Sequence, residues 1–331
     1  MDVALSILGG LALLVLGGEF LVRGAVQLAE RMGVSPLLIG LTLVGFGTST
    51  PELVTSVQAA LIGSSGIAVG NIVGSNIANI LLILGLAALI SPIAVPSGAL
   101  KRDGVLVVAT AALLALVGWT LALERWVGAL FVAGLVAYIV YAWRQERVGG
   151  DGHTAAFEKA EAFEAVHAGV HQAGASAPKA GLAGVALSLA FALGGLALVV
   201  LGGGYLVEGA IALAQRFGIS ETVIGLTIVA VGTSMPEFVT SVVAAIRRQS
   251  DVALGNVLGS NIYNILGIGG LTALIAPTAV PPEIARFDNL VMLAVSGLLL
   301  AFAWTGLRIG RREGAALVLG YGLYVWAIWP T

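Results

Sequence analysis

"GFGTSTPELVTS" (residues 45–56) and "AVGTSMPEFVTS" (230–241) are two versions of one string, each inside a stretch apolar enough to cross a bilayer. With Gly47 set against Gly232 the offset is 185. From Ile39 to Pro92, 34 of 54 positions are then identical to their partners without a gap. Apolar composition does not by itself hold Asn, Ser, Pro and Glu in register. The chain is therefore an internal duplication, and the fold must be read as a repeat.

The 331 residues are 58% hydrophobic and 10% charged, with a mean hydropathy of +1.01. Soluble domains carry about 25% charged residues, so this composition indicates a polytopic, all-α membrane protein whose partner is the lipid bilayer. A net charge of −2 argues against nucleic acid, and the lack of cysteine excludes thiolate metal sites. The opening "MDVALS" lacks the basic segment of a cleaved signal and reads as the start of the first span.

A span needs roughly 20 apolar residues. That requirement predicts ten transmembrane helices, near 3–29, 36–61, 67–90, 104–123, 126–144, 181–214, 222–246, 252–275, 288–307 and 313–329. Of the 16 Lys and Arg, 12 fall in one set of alternate loops and 3 in the other. The richer set is expected to be cytoplasmic, which puts both termini outside. Each half then holds an odd number of spans, so the halves insert in opposite orientations and the site is expected near the midplane between them. The expected division is a first five-helix repeat at 1–144 (motif 39–92), a cytoplasmic loop at 145–179, and a second five-helix repeat at 180–331 (motif 224–277).

Glu52 and Glu237 are the only charged residues in helices two, three, seven and eight, and they are repeat mates. A carboxylate at mid-bilayer is costly and faces a partner or a water-filled path. No Lys, Arg or His lies in these four helices, so the two acids read as a cation site. Pro51 and Pro236 each remove a helix hydrogen bond and crowd the carbonyl four residues back, at Gly47 and Gly232. Helices two and seven should break there, with the freed backbone lining a cavity. Carbonyls, carboxylates and the hydroxyls of Thr48, Ser49, Thr233 and Ser234 make an all-oxygen set. Hard cations such as calcium choose such ligands, and sodium can use the same atoms.

The second repeated string is "GNIVGSNIANI" (70–80) and "GNVLGSNIYNI" (255–265). Its Gly70, Gly74, Gly255 and Gly259 permit close helix approach. Ser75 and Asn79 share a helix face, as do Ser260 and Asn264, and these faces should meet the acids. Asn71, Asn76, Asn256 and Asn261 are expected to hold the broken helices in place.

With GTSxPE and GNxxGSNxxN each present twice, the sequence resembles the cation/calcium exchanger superfamily, specifically its prokaryotic sodium/calcium exchangers. The resemblance covers nearly the whole chain outside the central loop. It implies that Glu52 and Glu237 ligate calcium with backbone oxygens of Thr48 and Thr233. It also implies that Ser49, Ser75, Asn79, Ser234, Ser260 and Asn264, with the carbonyls of Gly45 and Ala230, line sodium sites. Sodium and calcium would be substrates competing for the glutamates, with no cofactor and no enzymatic step. About three sodium ions per calcium would make a monomeric, electrogenic antiporter driven partly by the membrane potential. Helices one and six would slide across the core to switch access. Some relatives, typically the potassium-dependent ones, carry Asp where this chain has Asn264; with Asn at both 79 and 264, potassium-independent exchange is expected.

Glu19 and Arg23 are expected to pair within helix one, and Lys101/Asp103 and Arg286/Asp288 to mark helix starts. Glu208 fits either an outer vestibule or the lipid interface, and Trp326 and Trp329 fit an interfacial belt. The loop holds His153, His167 and His171 with Asp151, Glu158, Glu161 and Glu164. Its "TAAFEKAEAFEAVHAGV" reads as a solvated, partly helical linker rather than a metal site. Three other functions compete: a proton/calcium or other divalent-cation antiporter, an intramembrane hydrolase using a serine of GTS, and a passive channel. The hydrolase would need a base beside that serine.

Overall fold

The computed structural model describes residues 3–96, 98, 100–119, 122–148, 153–166, 182–304 and 306–329. It is mostly helical. In chain order the principal helices are α1 (Val3–Arg31), α2 (Pro36–Gly47), α3 (Thr50–Leu61), α4 (Ser65–Ile90), α5 (Val105–Trp119) and α6 (Arg125–Val148). They continue as α7 (Ala155–Val166), α8 (Leu182–Phe217), α9 (Glu221–Thr233), α10 (Met235–Ile246), α11 (Ser250–Ile275), α12 (Ile284–Trp304) and α13 (Arg311–Ile328).

Six helices, α1, α4, α6, α8, α11 and α12, are long and apolar enough to cross a membrane, or eight spans if each bent pair counts as one. The predicted spans near 104–123 and 313–329 correspond to α5 and α13, which do not meet that requirement among the described residues. At 15 residues, α5 is short against a hydrocarbon core of about 30 Å.

The two breaks fall where the prolines put them. α2 and α3 meet at 48° across Thr48–Ser49, and α9 and α10 meet at 52° at Ser234. Pro51 and Pro236 each sit at the start of the second segment, where a missing N–H costs nothing. Glu52 and Glu237 therefore lie in the first turn of α3 and α10, where the helix dipole favours a carboxylate. Beyond the sequence reading, the helices near the breaks are locally widened into π-helix. This occurs at Gly40–Val44 and Gly225–Val229, and again at Asn79–Leu84 and Tyr263–Gly269. Such widening concentrates at functional sites, and here it includes Asn79 and Asn264.

Glycines set how closely the helices approach. In α1 and α8, a methyl group on Gly17 would lie 2.7 Å from the Val199 nitrogen, and one on Gly195 2.3 Å from the Leu21 nitrogen. These helices pack backbone to backbone, as small residues allow in membranes. On α4, a methyl on Gly70 would lie 3.0 Å from the Leu226 nitrogen and one on Gly74 2.4 Å from the Leu226 oxygen. Thus α4 seats directly on α9. Two short antiparallel ladders tie the halves together: β1 (Ile93–Ala94) pairs with β4 (Arg308–Ile309), and β2 (Ala122–Leu123) with β3 (Thr278–Ala279).

Several local expectations hold. Glu19 pairs with Arg23 one turn away. Lys101 lies in the π-helical turn Leu100–Gly104 just ahead of α5, and Arg286 in the π-helical start of α12.

The central loop is where the structure departs from the sequence reading. Its helix α7 is not a solvated linker. Ala155, Ala156, Glu158, Ala160, Ala162 and Phe163 are buried, and Lys159 is 0% exposed. Charge spacing suggested a wet face because the small residues of α7 gave no strong apolar stripe; they are small because they pack against glycines. His153 stacks on Phe157 and contacts Glu146 at 2.8 Å. Asp151, His167 and His171 lie outside the described residues, as does the side chain of Glu164. No cluster of three or more metal-ligating side chains occurs among the described residues.

Gly74→Ala should cost about 1–3 kcal/mol by overpacking and lower the melting temperature in detergent. Gly194→Ala, where an added methyl meets nothing within 4 Å, should not. Equal melting temperatures for the two variants would contradict this packing.

Candidate functional site

Glu52 and Glu237 are 1% and 2% exposed. Each carboxylate is engaged by the serine from the opposite break. The Ser234 hydroxyl donates to Glu52 Oε1 at 3.0 Å, and the Ser49 hydroxyl to Glu237 Oε1 at 3.3 Å. Neither serine caps its own helix, which leaves each hydroxyl for the other half.

The asparagines that follow hold the backbone behind each acid. Asn71 donates to the Glu52 carbonyl at 3.1 Å and to the Ser56 hydroxyl at 2.9 Å. Asn256 donates to the Glu237 carbonyl at 3.0 Å and to the Ser241 hydroxyl at 2.8 Å. The expected bracing role of Asn71 and Asn256 is thus visible. Asn76 donates within its own helix, to the Ile72 carbonyl at 2.7 Å. Asn261 accepts from Asn79 at 3.0 Å, bridging the second strings of the two halves.

The remaining polar atoms are conspicuous for what they lack. Among the described residues, Oε2 of both glutamates, Oδ1 of Asn76 and Asn79, both Oδ1 and Nδ2 of Asn264, and the Thr48 hydroxyl are buried without a hydrogen-bond partner. Each buried polar group left unpaired costs about 1–3 kcal/mol. The glutamate and Asn Oδ1 atoms are acceptors, whereas the Asn264 Nδ2 is a donor. Ser75 donates to the Ala230 carbonyl at 3.4 Å, and the Thr233 hydroxyl reaches the same carbonyl at 3.3 Å. Gly45 lies against the Tyr263 ring, with a methyl there 3.1 Å from the phenol oxygen. The structure therefore brings Ser49, Ser234, Glu52 and Glu237 together, and Ser75 and Thr233 at Ala230. Among the described residues, no hydrogen bond links Thr48, Asn79 or Asn264 to the acids.

The sequence reading offered the acids no basic partner, and here it is corrected. Lys159 of α7 reaches in, and its ammonium donates to Glu237 Oε1 at 3.2 Å, to the Ser49 hydroxyl at 3.3 Å and to the Ser260 hydroxyl. It also lies 6.0 Å from the centre of the Tyr263 ring. The absence of basic residues in the four core helices was legible; a lysine delivered by the loop was not. Lys159 does stand beside a serine. It pairs with the Glu237 carboxylate and contacts two hydroxyls, of Ser49 and Ser260.

A cavity of about 420 Å³ runs beside the breaks. Leu11, Val15 and Val22 of α1 form one side, and Gly47, Thr48, Pro51, Gly232 and Pro236 the other. α1 therefore borders both breaks without filling the space between them.

Residues 3–144 and 187–329 match the family described as sodium/calcium exchanger protein. The chain is 39% identical to the sodium/calcium exchanger MaX1 of Methanosarcina acetivorans, over 96% of this chain and 95% of that one. It is 37% identical to a putative antiporter, CaxA, of Alkalimonas amylolytica, over 98% of both. Among solved structures it is similar to the sodium-calcium exchanger NCX_Mj, with a TM-score of 0.62 at 31% identity, covering 98% of each chain. With both GTSxPE strings and both GNxxGSNxxN strings folded around two buried glutamates, the chain belongs to the sodium/calcium exchanger family.

Proposed function

We propose that this protein is a secondary antiporter that exchanges sodium for calcium by alternating access. The observation that carries the reading is the pair of repeat-related glutamates, each crosswise bonded to the other half and each with one buried oxygen unpaired. An ammonium lodged against Glu237, Ser49 and Ser260 further supports a pocket suited to cations. The names of the relatives point the same way.

In this reading Glu52 and Glu237 bind calcium with the backbone oxygens of Thr48 and Thr233. Ser49, Ser75, Asn79, Ser234, Ser260 and Asn264, with the carbonyls of Gly45 and Ala230, complete the sodium positions. Two carboxylates balance one calcium, or two of the sodium ions that replace it. Exchange of about three sodium ions for one calcium moves one net charge, which couples transport to the potential at about 2.3 kcal/mol per 100 mV. Asn at both 79 and 264 leaves no further carboxylate for potassium.

The spans form two inverted five-helix repeats, 1–144 and 180–331, with 145–179 as a cytoplasmic connection and both termini outside the cytoplasmic membrane. The charge distribution supports this orientation. α1 and α8, packed through their glycines and bordering the cavity, slide together as a monomer switches access.

The test is calcium-45 uptake into sodium-loaded proteoliposomes diluted into choline, potassium or sodium buffer. Uptake should require only internal sodium, proceed in choline, and fall at least 100-fold in Glu52→Gln and in Glu237→Gln. Uptake that ignores sodium and follows an imposed pH gradient would make the protein a proton/calcium antiporter instead.

A further inference from the structure

The two halves are not equivalent where their glycine faces pack, and the difference is confined to one side. On α4, Gly70 and Gly74 meet the α9 backbone directly at Leu226. Their repeat mates on α11 are Gly255 and Gly259, which by the same rule should meet α2 near Leu41. They meet α7 instead. A methyl on Gly255 would lie 2.2 Å from the Glu158 Cβ, and one on Gly259 2.9 Å from the Ala155 carbonyl. On its other side α7 meets α2, where a methyl on Gly40 would lie 3.3 Å from the Ala160 Cβ. The loop helix is a wedge between α11 and α2.

Side-chain bonds show the same asymmetry. Ser75 donates to the Ala230 carbonyl and Thr233 to Asn71, closing one side. Their mates do otherwise: Ser260 accepts from Lys159, and the Thr48 hydroxyl has no partner. The wedge is also anchored at its start. The Asp103 carboxylate accepts from the Ala155 N–H at 3.1 Å, Tyr138 accepts from the Ala156 N–H at 3.2 Å, and Glu146 accepts from the Thr154 N–H at 2.6 Å. These bonds form a built seat for the helix.

We infer that α7 is an autoinhibitory helix seated in the access cleft between α11 and α2, with the Lys159 ammonium occupying a cation position beside Glu237 as a tethered competitor of the transported ions. A primary ammonium and a sodium ion carry the same charge and seek the same oxygens. Lys159 takes up Glu237 Oε1, Ser49 and Ser260, all part of the proposed ligand set. While it stays, α11 cannot close on α2 and calcium cannot gain the second carboxylate. Cations from the cleft side and α7 therefore exclude one another. The inference rests on the cation-exchange reading above, although the docking of α7 can be measured without transport.

The chain has no cysteine, so a Gly40→Cys/Ala160→Cys pair is a clean reporter. The 3.3 Å separation is close to the 3.5–4.5 Å that disulfides require, roughly. In purified full-length protein the pair should cross-link on mild oxidation without added cations, and calcium should slow cross-linking at least tenfold. In proteoliposomes the oxidised pair should lose exchange and recover it with dithiothreitol. Independently, Lys159→Met should raise the apparent calcium affinity on the loop side at least threefold. Cross-linking indifferent to calcium, full exchange by the oxidised protein, or unchanged affinity in Lys159→Met would each overturn the inference. If the cysteine pair does not fold, Lys159→Met alone decides. Calcium-sensitive cross-linking in a protein that exchanges no cation would leave the seated helix standing and remove the exchanger reading.

Discussion

The crosswise bond between the serine of one helix break and the glutamate of the other is the constraint on which the site depends. Ser49 reaches Glu237 and Ser234 reaches Glu52, so neither carboxylate is furnished by its own half alone. A proline two residues beyond each serine opens the backbone, and the break frees the serine from capping duty. The acid then falls in the first turn of a new helix. Breaking the helix, supplying the hydroxyl and holding the carboxylate are three consequences of six residues, written twice.

The rest of the core serves to keep that crossing in place. Asn71 and Asn256 grip the backbone carbonyl of each acid and the serine four residues beyond it, which fixes the first turn. The glycine faces of α4 and α11 lie on other neighbours, α9 and α7, and seat the two helices from that side. What is left unsatisfied is informative because so much else is bonded. Among the described residues, unpaired polar atoms, most of them acceptors, collect on the glutamates and on the asparagines of the second strings. Burying such atoms without partners is expensive, and a site that passes cations in turn would pay this cost only between occupants.

The duplication, the breaks at Pro51 and Pro236, the paired glutamates and the bracing asparagines were all legible in the sequence, because each follows from residue identity and a fixed offset. The crosswise serine bonds were not, since an offset shows which residues are mates and not which ones touch. The π-helical turns that carry Asn79 and Asn264 leave no compositional mark. Span counting was legible only in part: Val105–Trp119 reads as a span by its apolarity, yet its regular helix is short. The larger miss was α7. Its buried face is alanine, phenylalanine, one lysine and one glutamate, and the rule that mixed charge means a wet surface pointed outward. Gly255 and Gly259 held the missing signal. They need a close-packed partner, and the alanines of 155–162 are small enough to be one.

The central claim is that Glu52 and Glu237 together form one site for which calcium and sodium compete. Equilibrium binding of calcium-45 to the purified chain at rising sodium concentration tests it without assuming any transport cycle. One calcium should bind per chain, sodium should displace it competitively, and the Glu52→Gln/Glu237→Gln double variant should bind none while keeping its helical spectrum. Calcium binding that persists in the double variant, or that sodium leaves untouched, would contradict the account.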